Sequence, residues 1–178
     1  GTSEVTQVTD ASSHGVIFGN PRWSPDGQRF VAEVVDAIGG SSSICTMSSH
    51  GGTAQMIAGG RAATPNWSPD GKLIAFVSDH QLMTACANGG ELSPVSFSPG
   101  LSSVSNPAWS PDGDRMAFDS GGNIWILDIG TKAARKLTED LNDLSYTPTW
   151  SPDGLRIAVE RETRYTLPLW GRIIRHNI

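Results

Sequence analysis

Apolar and polar positions alternate in short runs along this chain, with no helical rhythm of useful length between them. The clearest runs are Arg29–Val35, Leu73–Ser78, Arg115–Asp119 and Arg156–Glu160, all of strand length. A second β-prone run follows three of them, at Ser43–Met47, Gln81–Ala85 and Asn123–Asp128. Gly51-Gly52, Gly89-Gly90 and Gly130-Thr131 then turn the chain, and a last short strand is clearest in Ala134–Thr138. The pattern predicts four-stranded antiparallel units, their strands lettered A to D in chain order.

Each unit opens on the same five letters, WSPDG. Trp23, Trp67, Trp109 and Trp150 begin them at intervals of 44, 42 and 41 residues. A period of this size signals a propeller blade of four strands. In the turn, proline pre-sets φ at about −65° and glycine supplies the positive φ that follows aspartate. The serine hydroxyl can cap a backbone N–H within it. Trp23, Asp26, Gly27 and their copies Trp67, Asp70, Gly71, Trp109, Asp112, Gly113, Trp150, Asp153 and Gly154 therefore read as architecture. A catalytic group is rarely needed at four symmetric places. The indole is large enough to fill the wedge between neighbouring sheets, and Val31, Ala75, Ala117 and Ala158 on strand B leave room for it.

The stretches "NPRWSPDGQRFVAEV", "TPNWSPDGKLIAFVSD", "NPAWSPDGDRMAFDS" and "TPTWSPDGLRIAVE" resemble the blade motif of the TolB-like propellers. Units one to three match through most of their length and unit four to about Glu160. The resemblance implies an all-β propeller, commonly of six blades, with cell-envelope or secreted interaction roles. It is strong for fold and weak for function, because the same blades serve scaffolds, peptidases and lyases.

One propeller domain over 1–178 is expected, with blades starting near Pro21, Pro65, Pro107 and Pro148 and an atypical tail over 163–178. Residues 1–10 resemble a D strand ("EVTQVTD" beside "ARKLTED"), and the segments flanking the outer tryptophans together amount to about one repeat. A four-bladed ring closed by pairing of that strand with the last blade is expected. Pro168 falls where strand C of the last blade should run, and "GRIIRHNI" is a candidate strand D. If the ring stays open, its edges invite a homodimer.

Composition narrows the partners. Apolar residues make up 38% and charged residues 17%, enough core and too little charge for disorder. The net charge is −5 and the three lysines, Lys72, Lys132 and Lys136, form no basic stripe, which argues against nucleic acid. No apolar run approaches the roughly 20 residues of a membrane helix. Cys45 and Cys86 fall at neighbouring, non-equivalent positions, so a free buried pair is expected rather than a bridge.

Propellers commonly bind ligands at the central channel and on the face built by the D–A and B–C loops, which is where candidate residues are expected. The D–A loops are placed at 11–20, 59–64, 99–106 and 139–147. The last carries Glu139, Asp140 and Asp143, weak candidates for a cation such as calcium because their spacing matches no calcium loop. Ten residues after each motif tryptophan stand Glu33, Val77, Asp119 and Glu160. The three acids could ring the channel mouth and attract cations or basic peptides. The plainer alternative is that each accepts N–H bonds from a neighbouring loop or pairs with Arg22 or Arg161. His14 and His80 could reach the same face without metal spacing. Arg22, Asn66 and Thr149, beside the tryptophans, are candidates to read a partner, with Val16, Ile17 and Phe18 as apolar anchors or ordinary packing. No nucleophile elbow or phosphate loop occurs. A non-enzymatic protein- or peptide-binding scaffold without a cofactor is expected. The alternatives are the propeller of an oligopeptidase-like hydrolase and a carbohydrate-active propeller.

Overall fold

The computed structural model describes residues 16–139, 143–166 and 172–177, with side chains through residue 162. Fifteen strands form four antiparallel sheets. The first holds β1 (Val16–Trp23), β2 (Arg29–Asp36), β3 (Ser42–Ser48) and β4 (Gln55–Ala58). The second holds β5 (Ala62–Trp67), β6 (Leu73–Ser78), β7 (Gln81–Cys86) and β8 (Leu92–Pro94). The third holds β9 (Ser105–Trp109), β10 (Arg115–Ser120), β11 (Asn123–Asp128) and β12 (Ala134–Lys136). The fourth has three strands, β13 (Asp143–Trp150), β14 (Ile157–Thr166) and β15 (Arg172–Asn177). Among the described residues there is no helix, and so none long and apolar enough to cross a membrane.

The WSPDG turns are built alike. Gly27 N–H donates to the Ser24 carbonyl at 2.9 Å, and Gly27 takes φ 69°. Ser24 Oγ donates to Asp26 Oδ1 at 2.6 Å and accepts the Arg29 amide at 2.9 Å. The same contacts recur at Ser68, Ser110 and Ser151. The serine bond is the main cause that holds the Asp26, Asp70, Asp112 and Asp153 carboxyls below the usual carboxylate range, helped by the amide two residues on.

Successive sheets pack face to face, with Trp67, Trp109 and Trp150 each reaching back to the sheet before it. Trp67 is buried in one cluster with Val31 and Ile44 of the first sheet, and its Nε1–H donates to the Arg22 carbonyl at 3.0 Å. Trp150 repeats the bond to the Ala108 carbonyl at 3.1 Å. Trp109 packs with Ala75 of the second sheet. Its Nε1 is buried without a partner, while its backbone N–H goes to Asn66 Oδ1 at 3.2 Å. Arginines complete two junctions: the Arg29 guanidinium lies 5.0 Å from the Trp67 ring centroid, and that of Arg115 lies 4.7 Å from Trp150. Leu73 stands at this position in the second sheet, so the middle junction lacks the cation.

Several expectations are corrected. Strand A begins well before P-x-W-S, so Val16, Ile17 and Phe18 lie in β1 rather than in a loop, and Phe18 packs against Phe30, Ala32 and Met47. "GRIIRHNI" supplies β15, which pairs with β14 as a third strand rather than a fourth. The reason is that β14 runs on to Thr166, past the pattern's end at Glu160, so the partner strand also starts later. Cys45 and Cys86 are both free, but Cys86 is exposed because it ends β7 beside the turn; burial pushes the Cys45 thiol up. The closing strand over 1–10 and Pro168 lie outside the described residues. Among those described, no strand of the fourth sheet packs on the first as successive sheets pack on each other.

Candidate functional site: the central channel

Four innermost strands, β1, β5, β9 and β13, line a channel, and the same irregularity in each shapes it. The ladder slips between Gly19 and Arg22, between Ala63 and Asn66, opposite Ala117 to Asp119, and between Tyr146 and Thr149. At the slip sit Asn20, Thr64, Asn106 and Thr147, with φ of 49°, 52°, 50° and 47°. Each precedes a proline, which has no N–H to contribute to a ladder and so suits a bulge. Asparagine tolerates this left-handed conformation, whereas β-branched threonine is strained there, at a cost of about 1–3 kcal/mol. A conformation held four times against such strain is fixed by its contacts.

Those contacts are the carboxylates of strand B. Glu33 Oε2 accepts Asn20 Nδ2 at 2.9 Å and, across the junction, the Thr64 backbone N–H at 3.5 Å. Asp119 Oδ1 accepts Asn106 Nδ2 at 2.7 Å and the Thr147 N–H at 3.2 Å. Glu160 Oε2 accepts the Thr147 hydroxyl at 3.2 Å. The acids thus tie three of the four bulges to their own sheets, and two of them, Glu33 and Asp119, also hold the bulge of the next sheet. In the second sheet Val77 stands in the acid's place, and Thr64 Oγ1 is buried without a partner.

Inside this belt the cavity has a volume of about 430 Å³. Its lining includes one residue per sheet from the position before each tryptophan: Arg22, Asn66, Ala108 and Thr149. A second cavity of about 210 Å³ shares Asn66, Ala108 and Thr149 and continues toward the motif tryptophans. Among the described residues, Arg22 is the one cation lining the larger cavity. Guanidinium, amide and hydroxyl groups face this space from different sheets, so what it offers is a ring of hydrogen-bond donors and acceptors.

Residues 2–163 match the TolB beta propeller domain family. The chain belongs to that family. Solved TolB-type propellers share its fold. TolB from Acinetobacter baumannii superposes with a TM-score of 0.69 at 19% identity, over 90% of this chain and 43% of that one. A putative TolB from Agrobacterium tumefaciens gives 0.63 at 18%, over 90% of this chain and 80% of that one. The β-propeller domain of the Trilobed protease from Pyrococcus furiosus gives 0.60 at 16%, over 89% and 53%. At these identities the likeness is one of fold, and this chain spans less than half the length of the Acinetobacter TolB. No curated protein sequence matches.

Of the residues singled out by sequence, this TolB-family propeller brings Arg22, Asn66 and Thr149 into one cavity, with Glu33, Asp119 and Glu160 in the belt around it. His80 lies elsewhere, at the edge of a separate cavity beside Leu82 and Phe97. In the acidic loop Asp143 forms an ion pair with Arg161 and Glu139 is exposed. His14 and Asp140 lie outside the described residues, among which no three His, Cys, Asp or Glu side chains gather for a metal. The positive-φ residues Asn20, Thr64, Asn106 and Thr147 were not singled out. Their signal was present: each is the Asn or Thr directly before the proline of the repeat.

Proposed function

We propose that this chain is a non-catalytic scaffold of TolB type that binds a protein or peptide at its central channel, in the periplasm or outside the cell. The observation that carries the reading is the cavity of about 430 Å³ to which three of the four sheets contribute polar side chains, Arg22, Asn66 and Thr149, at one symmetric level. The belt carboxylates hold bulges in place, a structural task, rather than facing a nucleophile. Asn66 Oδ1 is occupied by the Trp109 amide, so its NH₂ group, with Arg22 and Thr149, is left to meet the carbonyl oxygens of a bound chain. The location rests on the family.

The test compares immobilised wild-type chain with an Arg22→Ala/Asn66→Ala double variant, matched for thermal stability, against envelope and secreted extracts. A partner retained by the wild type and lost by the variant is expected. Equal capture by both removes the channel from the reading. A second reading, the propeller of a hydrolase, is favoured by the fold shared with the Trilobed protease domain. It predicts that peptidase activity of a longer natural protein drops when Arg22 and Asn66 are replaced.

A further inference from the structure

The channel has a polarity along its length, set by the hydrogen bonds already made within the chain. At the level of the bulges, Asn20 and Asn106 donate their side-chain NH₂ groups to Glu33 and Asp119, at 2.9 and 2.7 Å. An ionised carboxylate only accepts, so these bonds fix which end of each amide is spent. The Asn20 and Asn106 amide oxygens are left as acceptors among the residues that line the cavity.

Two residues further along each strand, roughly 7 Å away, it is the acceptors that are taken. The Arg22 carbonyl receives the Trp67 indole N–H, and the Ala108 carbonyl receives that of Trp150. Asn66 Oδ1 receives the Trp109 backbone N–H at 3.2 Å. Donors remain: the Asn66 NH₂ group, the Thr149 hydroxyl and the Arg22 guanidinium. That guanidinium has no hydrogen-bond or ion-pair partner among the described residues. None of the described residues lining the cavity carries a carboxylate, and the belt acids are occupied with the bulges.

A ligand that fills this space takes water from the guanidinium, and an opposite charge offsets that loss where a neutral carbonyl does not. The planar fork of arginine also matches the two oxygens of a carboxylate. We infer that the channel takes an acidic side chain of a bound polypeptide, its carboxylate on Arg22, Asn66 and Thr149 and its backbone N–H groups on the Asn20 and Asn106 oxygens. This rests on the channel being a peptide site and adds the class of residue that the site selects. A free dicarboxylic acid has no N–H for the acceptors at the bulges, which favours a polypeptide.

The experiment is a titration of the whole isotope-labelled chain, followed by nuclear magnetic resonance at the Arg22 Nε–H and the Asn66 side-chain NH₂. The probes are acetyl-Gly-Asp-Gly-amide, its Gly-Asn-Gly counterpart and succinate. The acidic peptide is expected to move both signals to saturation and to bind about tenfold or more tightly than the neutral one, the worth of a charge-assisted hydrogen bond. Arg22→Gln and Asn66→Asp are each expected to remove that preference. Arg22 is exposed, and Asn66→Asp keeps an acceptor for the Trp109 amide; circular dichroism confirms that both variants fold. Equal binding of the two peptides overturns the inference and leaves the peptide site standing. The peptide site fails instead on equal capture by wild type and the Arg22→Ala/Asn66→Ala variant. The inference is also overturned if no signal saturates, if both variants keep the preference, or if succinate binds as tightly as the acidic peptide.

Discussion

In the wall of the channel one hydroxyl has no partner, and its twin does. Thr64 and Thr147 share the same left-handed backbone and the same place before a proline. Thr147 Oγ1 donates to Glu160, whereas Thr64 Oγ1 is buried unpaired, Val77 standing where the acid would be. An unsatisfied buried hydroxyl costs about 1–3 kcal/mol, while a satisfied one contributes about 0.5–1.5 kcal/mol. The isosteric change to valine should therefore have opposite signs at the two sites. Thr64→Val is expected to raise stability by about 1 kcal/mol and Thr147→Val to lower it by about as much, read from urea midpoints at unchanged slope. A shared sign would show that backbone strain, not hydrogen bonding, dominates. The belt acids divide in the same way. Asp119 is 7% exposed and serves two donors, so Asp119→Ala should cost about 2–4 kcal/mol, and the exposed Glu160→Ala about 1 kcal/mol or less. Thermal melts of the pair check the ranking.

At the level of elements, the WSPDG turn is the part most fully written in the local sequence. Its serine, aspartate and glycine contact one another within five residues, so spacing alone exposes their purpose. Ser110 is fully buried and bonds both the Asp112 carboxylate and the Arg115 backbone. Ser110→Ala should destabilise by about 1–3 kcal/mol. The turns also set a response to acid. Because the four aspartates have folded pKa values lowered from those of free carboxylates, their contribution is complete above about pH 4 and is lost as pH falls through the lowered values. Stability should therefore fall below about pH 4, and more gently in an Asp70→Asn/Asp112→Asn variant, as followed by denaturation at stepped pH. The junctions were not legible in this way. Trp67 and Trp150 donate to carbonyls 45 and 42 residues earlier, a pairing that only the stacking of sheets creates. The alignment of Glu33, Asp119 and Glu160 could be seen in sequence, but not the bulge that consumes them, because a left-handed Asn or Thr before proline runs against local preference. The tail defeated the pattern for a related reason: β14 extends past the repeat, so strand order could not be counted from the motif.

For the whole molecule, stacking implies that stability depends on how many neighbours a sheet has. Arrays of repeats behave approximately as a sum of unit and junction terms. The second and third sheets each have a neighbour on both sides, and Phe76, Met116 and Phe118 at their centres are fully buried. In the fourth sheet Leu155, Arg156 and Ala158 are exposed. Amide exchange should follow this order, slowest at Phe76, Met116 and Phe118 and faster in the first half of β14. Trp67→Ala should cost about 3–5 kcal/mol and speed exchange in the first two sheets together, because it empties the junction between them. Trp23→Ala should leave exchange nearly unchanged, since that indole is 64% exposed. Native-state exchange read by mass spectrometry distinguishes the two, and a uniform loss of protection across all four sheets after Trp67→Ala would show that the sheets unfold as one unit rather than junction by junction.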